Sequence, residues 1–314
     1  LGIPFYDLQA GKFYRTYNLL SLIKIPFGLL HAFCLLLKIQ PDVILSFGGY
    51  LAAPVVFAGC ILGIKSITHE QTLVAGYANK FISHFATKVL VSWPSSQQYF
   101  PSNKTILSRL PLRKEIVEVR SNSFIFDNNL PVIYITCGKT GSHTINQIVY
   151  ETLSELLDIC NLIHQTGDYS LTKDFQRLEN KYKELKEKNG KYYLKKFVFA
   201  DEIGEVFSKA DLIIGRAGSH TISEILYLKK PALLIPIPWV SHNEQFENAK
   251  LVESYGLGTI LNEKELTKQK FLETVRNLLT NPPTVKPNVN TQELFNKDSA
   301  KIIVNELLSV AKSV

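Results

Sequence analysis

Methionine is missing altogether from these 314 residues, position 1 included, and the chain opens on Leu1-Gly2-Ile3-Pro4-Phe5-Tyr6, which reads as the interior of a folded segment. We therefore expect a sequence that starts part-way into its first domain; no signal peptide is visible. Cysteine is scarce. Cys34, Cys60, Cys137 and Cys160 lie far apart with no CxxC pair, which argues against a metal cluster or a disulfide framework and fits a reducing cytosol. Long apolar runs are lacking as well. In the most apolar stretch, residues 19–37, the longest uncharged run is residues 25–37, bounded by Lys24 and Lys38 and interrupted by Pro26. A bilayer-spanning helix needs about 20 such residues, so this stretch reads either as a core helix or as one lying in a membrane interface with its lysines toward headgroups. No acidic metal-binding pair of the DxD kind stands beside a candidate phosphate turn, so no metal site is expected.

What remains is an ordinary globular balance, 46% hydrophobic and 20% charged, which excludes disordered and fibrous classes. The net charge of +7 is uneven: residues 1–127 carry 12 Lys/Arg against 6 Asp/Glu, and the rest 23 against 22. A basic first half suits a polyanion, either nucleic acid or an anionic membrane face, or is simply a solvated basic surface.

From residue 41 onward short β-rich runs alternate with helical ones. Strands are expected at residues 42–47, 65–68 and 88–92, with helices near 51–62 and 77–86. After a polar stretch at 120–129 the rhythm restarts: strands at 132–136, 162–164, 192–197, 211–214 and 232–235 alternate with helices near 143–158, 171–188, 202–208, 219–228 and 244–254. A terminal helix is expected over residues 292–314. Such alternation implies parallel sheets of right-handed βαβ units, and the restart implies two domains. The expected division is 1–127, 128–290 and a C-terminal helix at 291–314. In parallel sheets ligands collect where strands end, so the residues just after each strand carry the functional reading.

Cys137-Gly138-Lys139-Thr140-Gly141-Ser142 joins a strand to a helix; its glycines allow a tight turn, the free N–H groups of the helix start can cradle a phosphate, and Lys139 adds charge. The spacing matches neither of the common phosphate-loop motifs, so a purely structural turn stays open. Arg216-Ala217-Gly218-Ser219 is a second such turn, and Glu224 follows in its helix, where a carboxylate can accept two hydrogen bonds from a ribose diol or merely face solvent. Gln245 and Asn248 share a helix face after the Pro236–Pro238 strand end, amides of the kind that read sugar hydroxyls. In the first half, Phe47-Gly48-Gly49-Tyr50 and Thr68-His69-Glu70-Gln71 each end a strand. His69 and Glu70 are adjacent titratable groups, readable as base or acceptor-binding residues, or, for His69, as a buried structural histidine.

In order and spacing these features resemble the MurG-type N-acetylglucosaminyltransferases of peptidoglycan synthesis, over residues 3–307. The residues that carry the likeness are Pro41-Asp42 with Gly48-Gly49-Tyr50; His69-Glu70-Gln71 with Gly76 and Asn79-Lys80; Pro111 and Arg113; Gly138 and Gly141 with Asn146-Gln147; and His164-Gln165-Thr166-Gly167. Asp201 with Ala210-Asp211, Arg216-Ala217-Gly218 with Ser223-Glu224, and Gln245 with Asn248-Ala249 complete the set. The resemblance implies an α/β fold of the GT-B class, two Rossmann-like domains facing across a cleft. It implies that the second domain binds UDP-N-acetylglucosamine, with the Gly138, Lys139, Thr140, Gly141 turn and the Arg216, Ala217, Gly218, Ser219 turn around the diphosphate. Glu224 would hold the ribose, the main chain at Ala200 the uracil, and Gln245, beside Glu244, the sugar hydroxyls, with Arg113 near the hinge and nucleotide. His69 and Glu70 would be catalytic, and Tyr50, Gln71 and Asn79 would line the acceptor side.

The implied reaction is an inverting transfer of N-acetylglucosamine to the muramoyl 4-hydroxyl of a lipid-linked muramoyl-pentapeptide, with no tightly bound cofactor, at the cytoplasmic face of the plasma membrane on an anionic surface. The family's first strand and its glycine-rich, histidine-bearing loop have no counterpart after Leu1, so an incomplete first domain is expected. Thr72 stands where the family has Asn, Arg109-Leu110 where it has Gly-Asn, and Cys137 and Lys139 replace a glycine and a serine. Other readings are another GT-B glycolipid glycosyltransferase or a UDP-sugar epimerase, and an inactive UDP-sugar-binding subunit needing a partner chain. Nucleic-acid binding would explain the charge but none of the strand-end motifs, and no such module is present.

Overall fold

A computed structural model describes residues 2–8, 11, 19–239, 243–287, 290–296 and 298–311. Lys12 and Arg15, two of the basic residues of the first half, lie outside the described residues. The chain divides into two compact units, Leu1–Pro111 with Phe295–Val314, and Leu112–Leu294.

The first unit begins with helix α1 (Leu19–Ile39), which continues through Pro26. Then come β1 (Ile44–Ser46), α2 (Ala52–Ile61), β2 (Ser66–Glu70), α3 (Tyr77–Phe85), β3 (Lys88–Val91) and β4 (Thr105–Leu107). The four strands form one parallel sheet in the order β1-β2-β3-β4. Ala32 and Leu36, one turn apart on α1, are buried with Ile44, Val56, Ala58, Ile82 and Ala86, while Phe27, Leu30 and Leu37 of the same helix are exposed. A one-sided apolar stripe is what sends a helix against a sheet; α1 carries a second apolar face in addition.

The second unit alternates without a break: β5 (Val132–Thr136), α4 (His143–Leu157), β6 (Asn161–Gln165), α5 (Asp174–Glu184), β7 (Tyr192–Lys195), α6 (Ile203–Lys209), β8 (Leu212–Gly215) and α7 (Ser219–Leu228). It closes with β9 (Ala232–Leu234), α8 (Glu244–Ser254), β10 (Gly258–Ile260) and α9 (Lys268–Thr280). The six strands are all parallel, in the order β10-β9-β8-β5-β6-β7. Renumbered within the unit this is 3-2-1-4-5-6 read from the far edge, the doubly wound dinucleotide-fold order, whose switch point lies between β5 and β8. Ile133, Ile135, Leu212 and Ile214 are buried in runs rather than in alternation, as a sheet covered on both faces requires. On one face Leu153, Leu156 and Leu157 of α4 meet Phe271, Val275 and Leu278 of α9 in one cluster. Each such side chain contributes roughly 1.5–3 kcal/mol on full burial.

From Phe295 the chain returns to the first unit. A 3-10 turn at Thr291–Leu294 precedes α10 (Ser299–Ala311), whose Ile303 and Val310 pack with Ile67 of β2 and Leu90 of β3. Glu306 pairs with Lys88 Nζ at 2.5 Å. The single terminal helix expected over 292–314 is therefore a turn, which ends the second unit, and a shorter helix, which belongs to the first. The expected helix over 171–188 is likewise shorter.

The two compact units divide at Pro111/Leu112, where the sequence suggested a domain boundary at residue 127. Residues 112–127 hold few strand or helix signals, yet they are tied to α6. Buried Glu205 accepts from Ser121 Oγ (2.6 Å), Ser123 N (2.8 Å) and Phe124 N (3.0 Å), and pairs with Lys209 at 2.9 Å. Burial pushes its carboxyl up, but the four donors outweigh burial and bring it down to about 2. A folded-state value below the unfolded one means that this stabilisation is complete above about pH 4.5 and is lost as pH falls toward 2. Glu205→Gln should lower the urea midpoint at pH 7 and remove on the order of 2–3 kcal/mol of the acid-dependent loss between those limits. Superimposable stability–pH curves for the two proteins would reject the role given to Glu205.

Candidate functional site

Because all strands of the second unit run the same way, their carboxyl ends share one edge, and the paired ends Thr136 and Gly215 bring the β5 and β8 turns side by side. The β5 turn leaves Gly138, Lys139 and Thr140 exposed at its apex. Ser142 caps α4 by accepting from Ile145 N. Gly141 (φ +93°) lies against Gly167 (φ +76°) of the β6 loop. A Cβ on Gly141 would stand 2.4 Å from Thr166 O, and one on Gly167 2.3 Å from Gly141 N. Both positions thus demand glycine for conformation and for closeness.

Arg216 follows β8, but its guanidinium is already employed. Nε donates to Ser142 Oγ (3.0 Å), and Nη1 donates to Ile235 O (2.9 Å) and to Glu263 Oε2 (2.5 Å). Glu263 also accepts from Thr144 Oγ1 at 3.3 Å. The side chain braces the β5 turn, the end of β9 and the turn after β10. What this turn offers an anion is the N-terminus of α7, capped by Gly218, together with Lys139 from the neighbouring turn. Behind it Asn248 Nδ2 donates to Ala217 O (2.9 Å), holding α8 to the β8 turn. Gln245 Oε1 accepts from Ile237 N (3.1 Å), which leaves its NH2 as the end that can read a ligand. Ser219 Oγ approaches Glu244 Oε1 at 3.4 Å.

Glu224, in the second turn of α7, is buried, and burial raises its carboxyl above the usual range although Arg113 opposes the rise. Arg113 Nε and Nη2 both donate to Glu224 Oε1, at 2.8 and 2.5 Å. The carboxylate and the arginine singled out separately from sequence are one pair within the second unit. Ala200 lies exposed at the tip of a turn where Glu202 N and Ile203 N donate to Phe199 O.

Asn146 and His164, named from the sequence only as carriers of the resemblance, support this edge from beneath. Buried Asn146 accepts from Cys137 Sγ (3.1 Å), hydrogen-bonds His164 Nε2 (3.0 Å), and donates to Thr166 O (3.1 Å) and Asp174 Oδ2 (2.9 Å). Burial lowers His164 to about 3, so its ring is neutral; Nε2 carries the proton and Nδ1 accepts from Tyr192 OH (2.8 Å). Burial pushes the Cys137 thiol up to about 12, so the residue that replaces a glycine of the resembling family is an inert filler. A cavity of about 380 Å³ is lined by the loops after β6 and β7, among them Gly167, Tyr169, Lys173 and Lys196, and none of the expected donor residues lines it. Among the described residues no group of three or more His, Cys, Asp or Glu is arranged to hold a metal.

In the first unit, His69 and Glu70 are neighbours on β2, and the pleat sends successive side chains to opposite faces. His69 is fully buried, with Nε2 near Ser92 Oγ (3.1 Å) and Ser108 Oγ (3.3 Å) and its ring 6.0 Å from that of Phe47. Glu70 Oε1 accepts from Thr72 N (2.9 Å) and Thr72 Oγ1 (2.7 Å); Oε2 accepts from Gly76 N (3.1 Å) and Asn79 Nδ2 (3.0 Å). Glu70 therefore fastens the loop and the start of α3 rather than orienting His69. A general base must reach the proton that it takes, and in this structure the His69 ring is enclosed. Asn79 is also occupied, accepting from Thr68 Oγ1 (2.8 Å) and packed on Gly48, where a Cβ would come within 2.6 Å of its amide. Of the acceptor-side candidates Tyr50 is partly exposed, and Gln71 accepts Trp93 Nε1 on its carbonyl at 3.1 Å.

The glycosyltransferase family 28 C-terminal domain matches residues 132–305, and the N-terminal domain of the same family matches residues 1–91. A UDP-N-acetylglucosamine--N-acetylmuramyl-(pentapeptide) pyrophosphoryl-undecaprenol N-acetylglucosamine transferase of Bacillus cereus is 32% identical over 289 residues, 89% of this chain and 78% of the relative. One of the same name from Clostridium kluyveri is 33% identical over 284 residues, 88% and 77% of the two chains. Among solved structures, Acinetobacter baumannii MurG superposes with a TM-score of 0.67 at 22% identity, covering 98% of this chain and 85% of its own. A putative UDP-N-acetylglucosamine 2-epimerase of Listeria monocytogenes reaches 0.62 at 10% identity, covering 98% and 83%. These two likenesses bear on the fold, and they agree with the two parallel-sheet units of the GT-B class expected from the sequence. With both of its domains matched in order and its curated relatives alike over most of their length, the chain belongs to glycosyltransferase family 28.

Proposed function

We propose that this chain transfers N-acetylglucosamine from UDP-N-acetylglucosamine to the muramoyl 4-hydroxyl of a lipid-linked muramoyl-pentapeptide, the reaction class for which its curated relatives are named. The observation that carries the donor half is the meeting of two helix-starting turns, Gly138–Gly141 and Arg216–Ser219, at the switch point of the second sheet. There the N-termini of α4 and α7 and the Lys139 ammonium face charge that grows on a leaving diphosphate, a stabilisation that needs no metal. Glu224 takes the ribose hydroxyls, and Arg113, now on Oε1 alone, is placed to exchange that carboxylate for a nucleotide oxygen. The main chain at Ala200 meets the uracil, and the free amide end of Gln245 reads the sugar. The acceptor oxygen attacks the anomeric carbon from the face opposite the departing UDP, so an α-linked donor gives a β-linked product. His69 and Glu70, at the end of β2, stand on the acceptor side together with Tyr50, Gln71 and Asn79.

Calorimetric titration of UDP-N-acetylglucosamine against the wild type and Glu224→Ala tests the donor assignment. Removal of a charged ribose acceptor should weaken binding about 10- to 100-fold; equal affinities would remove Glu224 from the site.

A lipid-linked acceptor also requires work at a membrane surface, and we place the enzyme on the cytoplasmic, anionic leaflet. The exposed apolar residues Phe27, Leu30 and Leu37 of α1, between Lys24 and Lys38, support this. No helix among the described residues is long and apolar enough to cross a bilayer. Lys24→Glu with Lys38→Glu should release the protein from vesicles containing anionic lipid, by about 1 kcal/mol per charge removed, while leaving neutral vesicles indifferent. Sedimentation with anionic vesicles that matches the wild type would count against the surface.

A further inference from the structure

Gln165 ends β6, and its side chain spans two loops that the donor reading assigns to different parts of the nucleotide. Nε2 donates to Gly138 O (3.0 Å) in the β5 turn, and Oε1 accepts from Val198 N (2.9 Å) in the segment that follows β7. Its own main chain is held as well, since Cys137 N donates to Gln165 O at 3.1 Å. Beyond Val198 the segment folds onto itself: Phe199 N donates to Glu202 Oε2 (3.2 Å), and Phe199 O receives the start of α6. Ala200 thus rides on a small closed turn that is tied to β7 through Lys195 and Glu202, and to the end of β6 through the amide of Gln165.

A primary amide suits this place because it offers a donor and an acceptor at one carbon, and both are used. A glutamate would keep acceptance from Val198 but set a negative oxygen against Gly138 O; a leucine of similar volume would lose both bonds. We infer that Gln165 is a positioning residue that sets the span between the diphosphate turn and the base-reading main chain at Ala200. The edge is thereby tuned to a nucleoside diphosphate rather than to a base or a diphosphate separately. This inference rests on the donor site proposed above. Gln165 itself touches no substrate.

The discriminating measurement compares ligands that engage one loop with a ligand that engages both. UDP, uridine and inorganic diphosphate are each titrated against the wild type, Gln165→Leu and Gln165→Glu, by calorimetry for UDP and ligand-observed NMR for the weaker two, with thermal melting alongside. Binding strength that comes from a pre-set spacing is lost only by the ligand that spans it. UDP should weaken about tenfold with Gln165→Leu, uridine and diphosphate should bind each protein alike, and Gln165→Glu should fall between. If Gln165→Leu fails to fold, the Glu variant, which keeps the Val198 bond, decides by the same ratio. Unchanged UDP affinity in the folded variants would overturn the inference, and so would parallel weakening of all three ligands, which marks a role in folding alone. A wild type that does not bind UDP would instead remove the donor site itself, and the two failures are told apart by that first titration.

Discussion

The constraint on which the second unit rests is directional. Six strands run parallel, so six carboxyl ends and the amino ends of the following helices are forced onto one edge. The order reverses between β5 and β8, and there alone the connections leave for opposite faces, opening a space between two helix starts. A phosphate-binding edge follows from topology before any side chain is chosen. Side chains then decide how rigid that edge is.

Rigidity comes from polar groups that are spent on the protein itself. Arg216 joins three loops and pairs with Glu263, and Asn146 distributes four hydrogen bonds beneath the β5 turn. In the first unit, Glu70 and Asn79 do the same for β1, β2 and the start of α3. Buried charges of this kind add little net stability, yet removal of one partner strands the other. Their effect is to give loops at a strand edge a single arrangement. Motif residues in this chain therefore divide into those that face a ligand, such as Lys139, and those that hold the facing ones.

Much of the fold was legible because parallel strands buried on both faces read as apolar runs, with Val132–Thr136 and Leu212–Gly215 standing out from the polar sequence around them. The strands β4 and β10, three residues each, fall below any period, whereas α9 carried a legible stripe at Phe271, Val275 and Leu278 that the reading passed over. What binds residues 121–124 is Glu205, more than eighty residues later, a tie that no local signal shows. The site shows the same split. Glycine turns and Glu224 were visible because each sits next to the strand end that positions it. Glu263 with Arg216, and Gln165 with Gly138 and Val198, are tertiary pairs without a local pattern. His69-Glu70 shows the converse: adjacency in sequence suggests cooperation, and a strand sends neighbours to opposite faces.

The contact of Gly141 with Gly167 has a consequence for how such an enzyme can diverge. Two backbones that touch without side chains move as one body, so the β5 and β6 loops form a single ridge. A methyl group added at either position would wedge both loops off their strands. Variation on this edge is thus channelled to the outward apex of the ridge, at Lys139 and Thr140, where a new side chain meets only solvent or ligand.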